Sequence, residues 1–179
     1  NLIDTPGHTD FRYEVSRSLA AVEGAVLLVD ATQGVQAQTI STLRSAQKQR
    51  LRIIPAVNKI DLPAADVERT TAELCHLLKC RREDVLTVSA KEGTGVERLL
   101  EAVIERVPPP SVPITNHQSP LLRPPEADYG GQAVTNARAL IFDAKADTYR
   151  GVIAYVRVKE GSFRAGDAMV LLATATQGE

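Results

Sequence analysis

Gly24-Ala25-Val26-Leu27-Leu28-Val29-Asp30 is an unbroken apolar run that ends in a carboxylate. A strand with one face in water alternates apolar and polar residues, whereas a strand of a parallel sheet covered on both faces does not. The run therefore predicts a buried parallel strand with helices on both sides of its sheet. Upstream, Asp10 is placed to cap a helix through about Val22, with Phe11, Val15 and Leu19 recurring every four residues. Downstream, a turn at Gly34 leads to a polar helix over Gln36–Gln49 that points Ile40, Leu43 and Ala46 inward. A second buried strand, Ile53–Val57, ends in Asn58-Lys59-Ile60-Asp61.

The alternation continues. Pro63 and Asp66 punctuate the start of a helix carrying Val67, Leu74, Leu77 and Leu78, and Val85–Val88 is a short strand ending in Ser89-Ala90-Lys91. Thr94 and Glu97 have the spacing of a capping box, before a face of Val96, Leu99, Leu100, Val103, Ile104 and Val107 that stops at Pro108-Pro109-Pro110. Strands alternating with helices over residues 1–110 predict a doubly wound α/β domain, whose ligands bind at the C-terminal ends of the strands. Residues 111–137, rich in Pro, Ser, Gly, Gln and Asn, read as a linker or insertion. From 138 to 179 the period changes to two. Val152, Ala154, Val156 and Val158 alternate with Ile153, Tyr155, Arg157 and Lys159, which predicts the start of an antiparallel β-barrel.

The chain has 179 residues, 44% of them hydrophobic and 24% charged, in the range of globular proteins. Twenty-one Lys and Arg against twenty-two Asp and Glu give a net charge of −1, so no global basic field draws the chain to nucleic acid. No apolar run approaches the ~20 residues that span a bilayer. Cys75 and Cys80 flank His76; at five residues apart on a helix they are expected to point apart, as two reduced thiols rather than metal ligands.

The opening stretch, Asn1-Leu2-Ile3-Asp4-Thr5-Pro6-Gly7-His8-Thr9-Asp10, reads as the stump of a buried strand followed by a tight turn. An aspartate at a strand end can hold Mg²⁺ through water, and Gly7 lets its N–H approach a phosphate oxygen with no Cβ in the way. His8 then stands where a water attacking that phosphate would be. Alone, Asp-x-x-Gly also describes ordinary turns. Two later strand ends give it meaning. Guanine presents N1–H and the 2-amino group side by side, and the Asp61 carboxylate can accept both. Adenine offers an acceptor at N1 and no such amino group, so it would leave the carboxylate unpaired; sites of this kind reject the wrong ligand by on the order of 10⁴-fold. Asn58 can bond the base edge and tie its loop to a neighbouring one. The stems of Lys59 and Lys91 can cover the ring faces, and the Ala90 N–H can donate to the guanine O6.

The order Asp4-x-x-Gly7, Asn58-Lys59-x-Asp61, Ser89-Ala90-Lys91 resembles the third, fourth and fifth boxes of translational GTPases. Tyr13-Glu14-Val15-Ser16-Arg17-Ser18-Leu19-Ala20-Ala21, Gln33-Gly34-Val35-Gln36-Ala37-Gln38-Thr39 and Asn58-Lys59-Ile60-Asp61-Leu62-Pro63 resemble the elongation factor 4 family, also called LepA. Leu140-Ile141-Phe142-Asp143 and Tyr149-Arg150-Gly151-Val152 are similar to the start of that family's second domain. The resemblance implies a truncated P-loop GTPase-type domain followed by part of a β-barrel. It implies GTP as ligand, Mg²⁺ held by Asp4 through water, Gly7 at the γ-phosphate, His8 as the catalytic residue orienting water, and base recognition by Asn58, Lys59, Asp61, Ser89, Ala90 and Lys91.

For the whole protein the resemblance implies a GTPase that acts on the ribosome, promotes back-translocation and contacts ribosomal RNA and proteins mainly through parts outside these residues. It implies a cytoplasmic location, with peripheral association at the inner face of the membrane or a mitochondrial matrix location as alternatives. No Gly-x-x-x-x-Gly-Lys-[Ser/Thr] occurs in these residues and the first-switch threonine segment is missing, so the chain is expected to be an internal fragment, inactive by itself. Residues 111–137 are longer than expected between such domains, and Thr9 stands where an aliphatic residue is usual. Two other readings stay open: a sibling translocase or ribosome-protection factor similar to elongation factor G, and a guanine-nucleotide-binding module that does not hydrolyse.

Overall fold

The computed structural model describes residues 1–5, 12–110, 137–171 and 176–178. Asp10, Phe11 and residues 111–136 of the proposed linker lie outside the described residues; Ala137, at the linker's end, is described. The chain divides into two compact units, Asn1–Ser111 and Val112–Glu179.

In the first unit helix α1 (Arg12–Ala20) leads to strand β1 (Gly24–Asp30), helix α2 (Ala37–Lys48) to β2 (Arg52–Asn58), and helix α3 (Val67–Leu78) to β3 (Leu86–Thr87), before helix α4 (Val96–Arg106). The three strands form a parallel sheet in the order β1-β2-β3. Each crossover passes through a helix, as parallel strands require. The α/β reading with a mostly parallel sheet therefore holds.

Strand β2 carries the core. Ile54 and Ala56 are fully buried with Leu86 and Ala102, under Leu99, Val103 and Val107 of α4 and the residue after it. Val57 points to the opposite face, into a cluster with Leu27, Val29, Leu43 and Leu74 built by α2 and α3. Val15 and Leu19 of α1 pack on Ala46 of α2. Strand β1 departs from the expected two-sided burial. Leu27 and Val29 are buried, but Val26 and Leu28, in register with Ile54 and Ala56, are 37% and 50% exposed. Alpha-4 covers that face over β2 and β3, and Val107 after it reaches Gly24 at the start of β1, which leaves Val26 and Leu28 open.

Three further expectations change. Leu2 and Ile3 form no strand, with no ladder partner among the described residues. Helix α4 is not capped by Thr94: its N-cap is Gly95 at φ 74°, without a side-chain cap. Gly95 sits against strand β3, where a Cβ would lie 2.2 Å from the Thr87 carbonyl oxygen. Cys75 and Cys80 do not point apart. Lys79, left-handed at φ 54°, ends α3 and turns the chain back, so both cysteines pack against the same apolar cluster on the α3 side of the core.

In the second unit β4 (Arg138–Asp147) and β5 (Gly151–Glu160) pair antiparallel, and β6 (Met169–Leu171) pairs antiparallel with β7 (Thr176–Gly178). The ladder skips Phe142, placing a bulge where Ile141 faces Val156 and Asp143 faces Tyr155. The Phe142 and Tyr155 rings lie 6.5 Å apart.

Gly95→Ala should cost more than ~2 kcal/mol, because it adds a collision with backbone to a left-handed φ that itself costs an L-residue ~1–2 kcal/mol. Gly93 has a similar φ of 80° but nothing within 4 Å of an added Cβ. Gly93→Ala should therefore cost only the conformational ~1–2 kcal/mol. Urea unfolding of the two variants checks the difference, and equal midpoints would refute the packing role of Gly95.

Candidate functional site

The C-terminal ends of β1, β2 and β3 lie side by side, and the loops that leave them meet. Asp30 stands in register with Asn58. The strands are bridged past their ends: the Ala31 N–H donates to the Asn58 carbonyl at 2.8 Å, and the Val88 N–H to the Val57 carbonyl at 2.8 Å. The loop after β1 is held from a second side, where the Asp66 N–H donates to the Ala31 carbonyl at 2.9 Å. Asp66 also caps α3, its carboxylate accepting from the Arg69 N–H at 3.0 Å.

Side chains complete the junction. The buried Ser89 hydroxyl donates to Asp61 Oδ1 at 2.7 Å and accepts the Glu92 N–H at 3.1 Å. The Ala90 N–H donates to Asn58 Oδ1 at 3.1 Å. Two hydrogen bonds thus cross between the Asn58–Asp61 and Ser89–Lys91 loops. Ser89 is fixed in turn by its own N–H, donated to the Thr94 carbonyl at 2.9 Å, and by its carbonyl, which accepts from Gly93 at 2.8 Å. Asn58, Lys59, Asp61, Ser89 and Ala90 are brought together. Lys91 is exposed on the same loop, near enough for its charge to act on Asp61. Asp4 is exposed in a segment without regular structure; Gly7 and His8 lie outside the described residues.

The electrostatics favour anionic carboxylates here. The Ser89 hydroxyl, helped by the Lys91 and Lys59 charges, holds Asp61 below the usual carboxylate range. Asp61 is therefore an ionised acceptor at neutral pH, with Oδ1 braced by Ser89. Asp30 is lowered further, to about 2, first by its bond with the Lys59 ammonium and then by Thr32. Reading the sequence alone passed over Asp30. Its signal was a carboxylate closing an apolar strand, beside a strand that ends in Asn58-Lys59. Among the described residues no cluster of three or more His, Cys, Asp or Glu could by itself hold a metal ion. Asp4 offers one hard oxygen donor of the kind Mg²⁺ takes.

Comparison with known proteins follows the same division of the chain. The elongation factor Tu GTP binding domain matches residues 1–109, and elongation factor G domain 2 matches residues 136–178. Elongation factor 4 of Micrococcus luteus is 50% identical over 179 residues, which are 100% of this chain and 26% of the relative. Elongation factor 4 of Thermotoga maritima is 51% identical over 170 residues, 95% of this chain and 24% of the relative. The chain thus spans about a quarter of the length of these curated relatives. The crystal structure of translation elongation factor SelB from Methanococcus maripaludis, in complex with the GTP analogue GppNHp, superposes with a TM-score of 0.68. That likeness, at 21% identity over 98% of this chain and 36% of the other, is one of fold.

The lowered Asp61 pKa has a sign. Its stabilisation is complete above the unfolded value near 3.8 and is lost as pH falls through the lower folded value. Ser89→Ala removes the principal cause, so the Asp61 midpoint in a ¹³C-carboxyl NMR titration should rise toward the ordinary carboxylate range. An unmoved midpoint would show that Ser89 does not set the charge of Asp61.

Proposed function

The chain belongs to the translational GTPases built on the elongation factor Tu GTP-binding domain, in the elongation factor 4 family, and from this we propose that it supplies the base-recognition side of a GTP site in a ribosome-acting GTPase. The observation that carries the reading is the pair of crossing hydrogen bonds, Ser89 to Asp61 and Ala90 to Asn58. They hold an ionised carboxylate at the mouth of a parallel sheet, where α/β folds bind ligands. Asp61 accepts guanine N1–H and the 2-amino group, with Ser89 keeping its orientation. Lys59 and Lys91 cover the ring faces. The Ala90 N–H is already engaged by Asn58 Oδ1, so a guanine O6 shares that hydrogen or takes it over.

At the phosphate end Asp4 would hold Mg²⁺, Gly7 would contact the γ-phosphate and His8 would orient the attacking water. Bound Mg²⁺ supplies charge neutralisation at the phosphates. The three domain segments, 1–110, 111–137 and 138–179, correspond to part of a GTP-binding domain, a linker or insertion and part of a β-barrel. The whole protein binds the ribosome with GTP, hydrolyses it and promotes back-translocation, acting in the cytoplasm. Association with the inner face of the membrane and a mitochondrial matrix location are the alternatives; no described helix is long and apolar enough to cross a membrane. An elongation factor G-like role is the second functional reading, favoured only by the domain 2 match. Identities near 50% with elongation factor 4 proteins weigh against it.

In the full-length protein, Asp61→Asn should weaken GTP binding and favour xanthosine triphosphate, which carries a carbonyl in place of the 2-amino group; equilibrium binding of the two nucleotides checks this. An unchanged preference would refute the role of Asp61. His8→Ala should leave GTP binding intact and reduce ribosome-stimulated turnover by on the order of 10²-fold or more. Undiminished stimulated hydrolysis would remove His8 from the mechanism.

A further inference from the structure

Asp30 does more at the junction than close a strand. Its two oxygens have separate partners: Oδ1 accepts the Thr32 N–H at 2.8 Å and the Thr32 hydroxyl at 2.7 Å, while Oδ2 meets the Lys59 ammonium at 2.6 Å. The first pair fixes the carboxylate on the β1 side. The second reaches over the end of β2 and captures the tip of a lysine whose backbone is left-handed, at φ 64°. A lysine adopts that conformation rarely, and it persists where the surroundings over-determine it.

Thus Lys59 is held at both ends, by its backbone and by its ammonium, with four methylenes stretched between. The Asp30 side chain is 19% exposed and that of Lys59 52%. A pair so open to water adds little to the stability of a fold. Its geometric effect is larger, because a free lysine stem samples many rotamers and a tethered one few. The same carboxylate sits on a loop bonded to Asn58 by Ala31 and to α3 by Asp66, so the anchor point is itself rigid.

We propose that Asp30 is a positioning residue for base recognition: by anchoring the Lys59 ammonium it lays the lysine stem along the line where it covers one face of the purine. This rests on the guanine-nucleotide reading of the site. The tethered stem has already lost its rotamer freedom before the nucleotide arrives, so the base meets a prepared surface. Asp30 itself touches no part of the nucleotide.

The test uses the full-length protein with GDP, which avoids hydrolysis. Asp30→Asn keeps the size and the Oδ1 acceptor for Thr32 but removes the charge; Lys59→Met keeps an apolar stem without the ammonium. Each should raise the Kd for GDP by about fivefold, the size of effect a half-exposed ion pair supplies. The double variant should be no weaker than the worse single variant, and Asp30→Glu should recover part of the loss. In GDP-bound wild type, NMR should show the Lys59 side-chain methylene protons shifted upfield by the purine ring current, with that shift collapsing in Asp30→Asn. Urea midpoints separate a binding effect from an unfolding one. A Kd within twofold of wild type in Asp30→Asn, multiplicative losses in the double variant, or an unaltered ring-current shift would each overturn the inference while leaving guanine recognition standing. If wild type binds no guanine nucleotide, or Asp61→Asn leaves base preference unchanged, the underlying reading fails as well.

Discussion

The burial of β2 on both faces is the constraint on which the first unit depends. Ile54 and Ala56 can leave water only if α4 lies over one face, and Val57 only if α2 and α3 lie under the other. A strand covered in this way has no polar face, so its position is set by apolar contacts with both layers and by ladder bonds to β1 and β3. Parallel pairing then brings three C-terminal ends to the same edge. The loops that leave those ends meet because the core leaves them nowhere else to go.

What the core does not supply is the orientation of polar groups within those loops. Burial falls off from Val57 outward: Asn58 and Asp61 are only half-buried. Local hydrogen bonds take over there, and each has a backbone group or a buried hydroxyl on one side. Ser89 is the clearest case. Its hydroxyl is inside the fold, its backbone is held at both N–H and carbonyl, and it presents one hydrogen to Asp61. A buried donor aimed at a half-exposed carboxylate fixes that carboxylate more sharply than two surface charges could, since screening by water weakens charge pairs more than it weakens a short, shielded hydrogen bond.

Much of this was legible in the sequence because the signals were local and periodic. The unbroken run at Gly24–Asp30, the helical stripe from Val96 to Val107 and the motif residues at successive strand ends indicated the alternation of strands and helices in the parallel unit and set Asn58, Lys59, Asp61, Ser89 and Ala90 on loops that the structure brings together. The failures share a cause, which is dependence on a partner distant in sequence. Two-sided burial of β1 required a helix over Val26 and Leu28, and no spacing within the run could show that α4 stops short. Gly95 displaced Thr94 as the helix cap because Thr87, on β3, leaves no room for a side chain. Cys75 and Cys80 share one apolar cluster because Lys79 reverses the chain in a left-handed step, which a helical projection cannot represent. The period of two in the second unit located β5 but could not place the bulge at Phe142, which shifts the register of its partner strand. Asp4 belonged to an expected strand that needs a neighbour to exist, and Gly7 and His8 lie outside the described residues.

The same contrast explains why Asp30 escaped notice and why it matters. In the sequence it is one more polar residue after an apolar strand, a place where aspartate commonly does no more than begin a turn, and its bonds to Thr32 fit that role. Only the register of β1 against β2 sets it beside Asn58, and only the left-handed Lys59 sends an ammonium toward it. A turn-forming aspartate needs a single oxygen, and Thr32 uses only Oδ1. The second oxygen is committed across the strand ends to a residue of the candidate site. That division of labour within one carboxylate separates a positioning role from a purely local one.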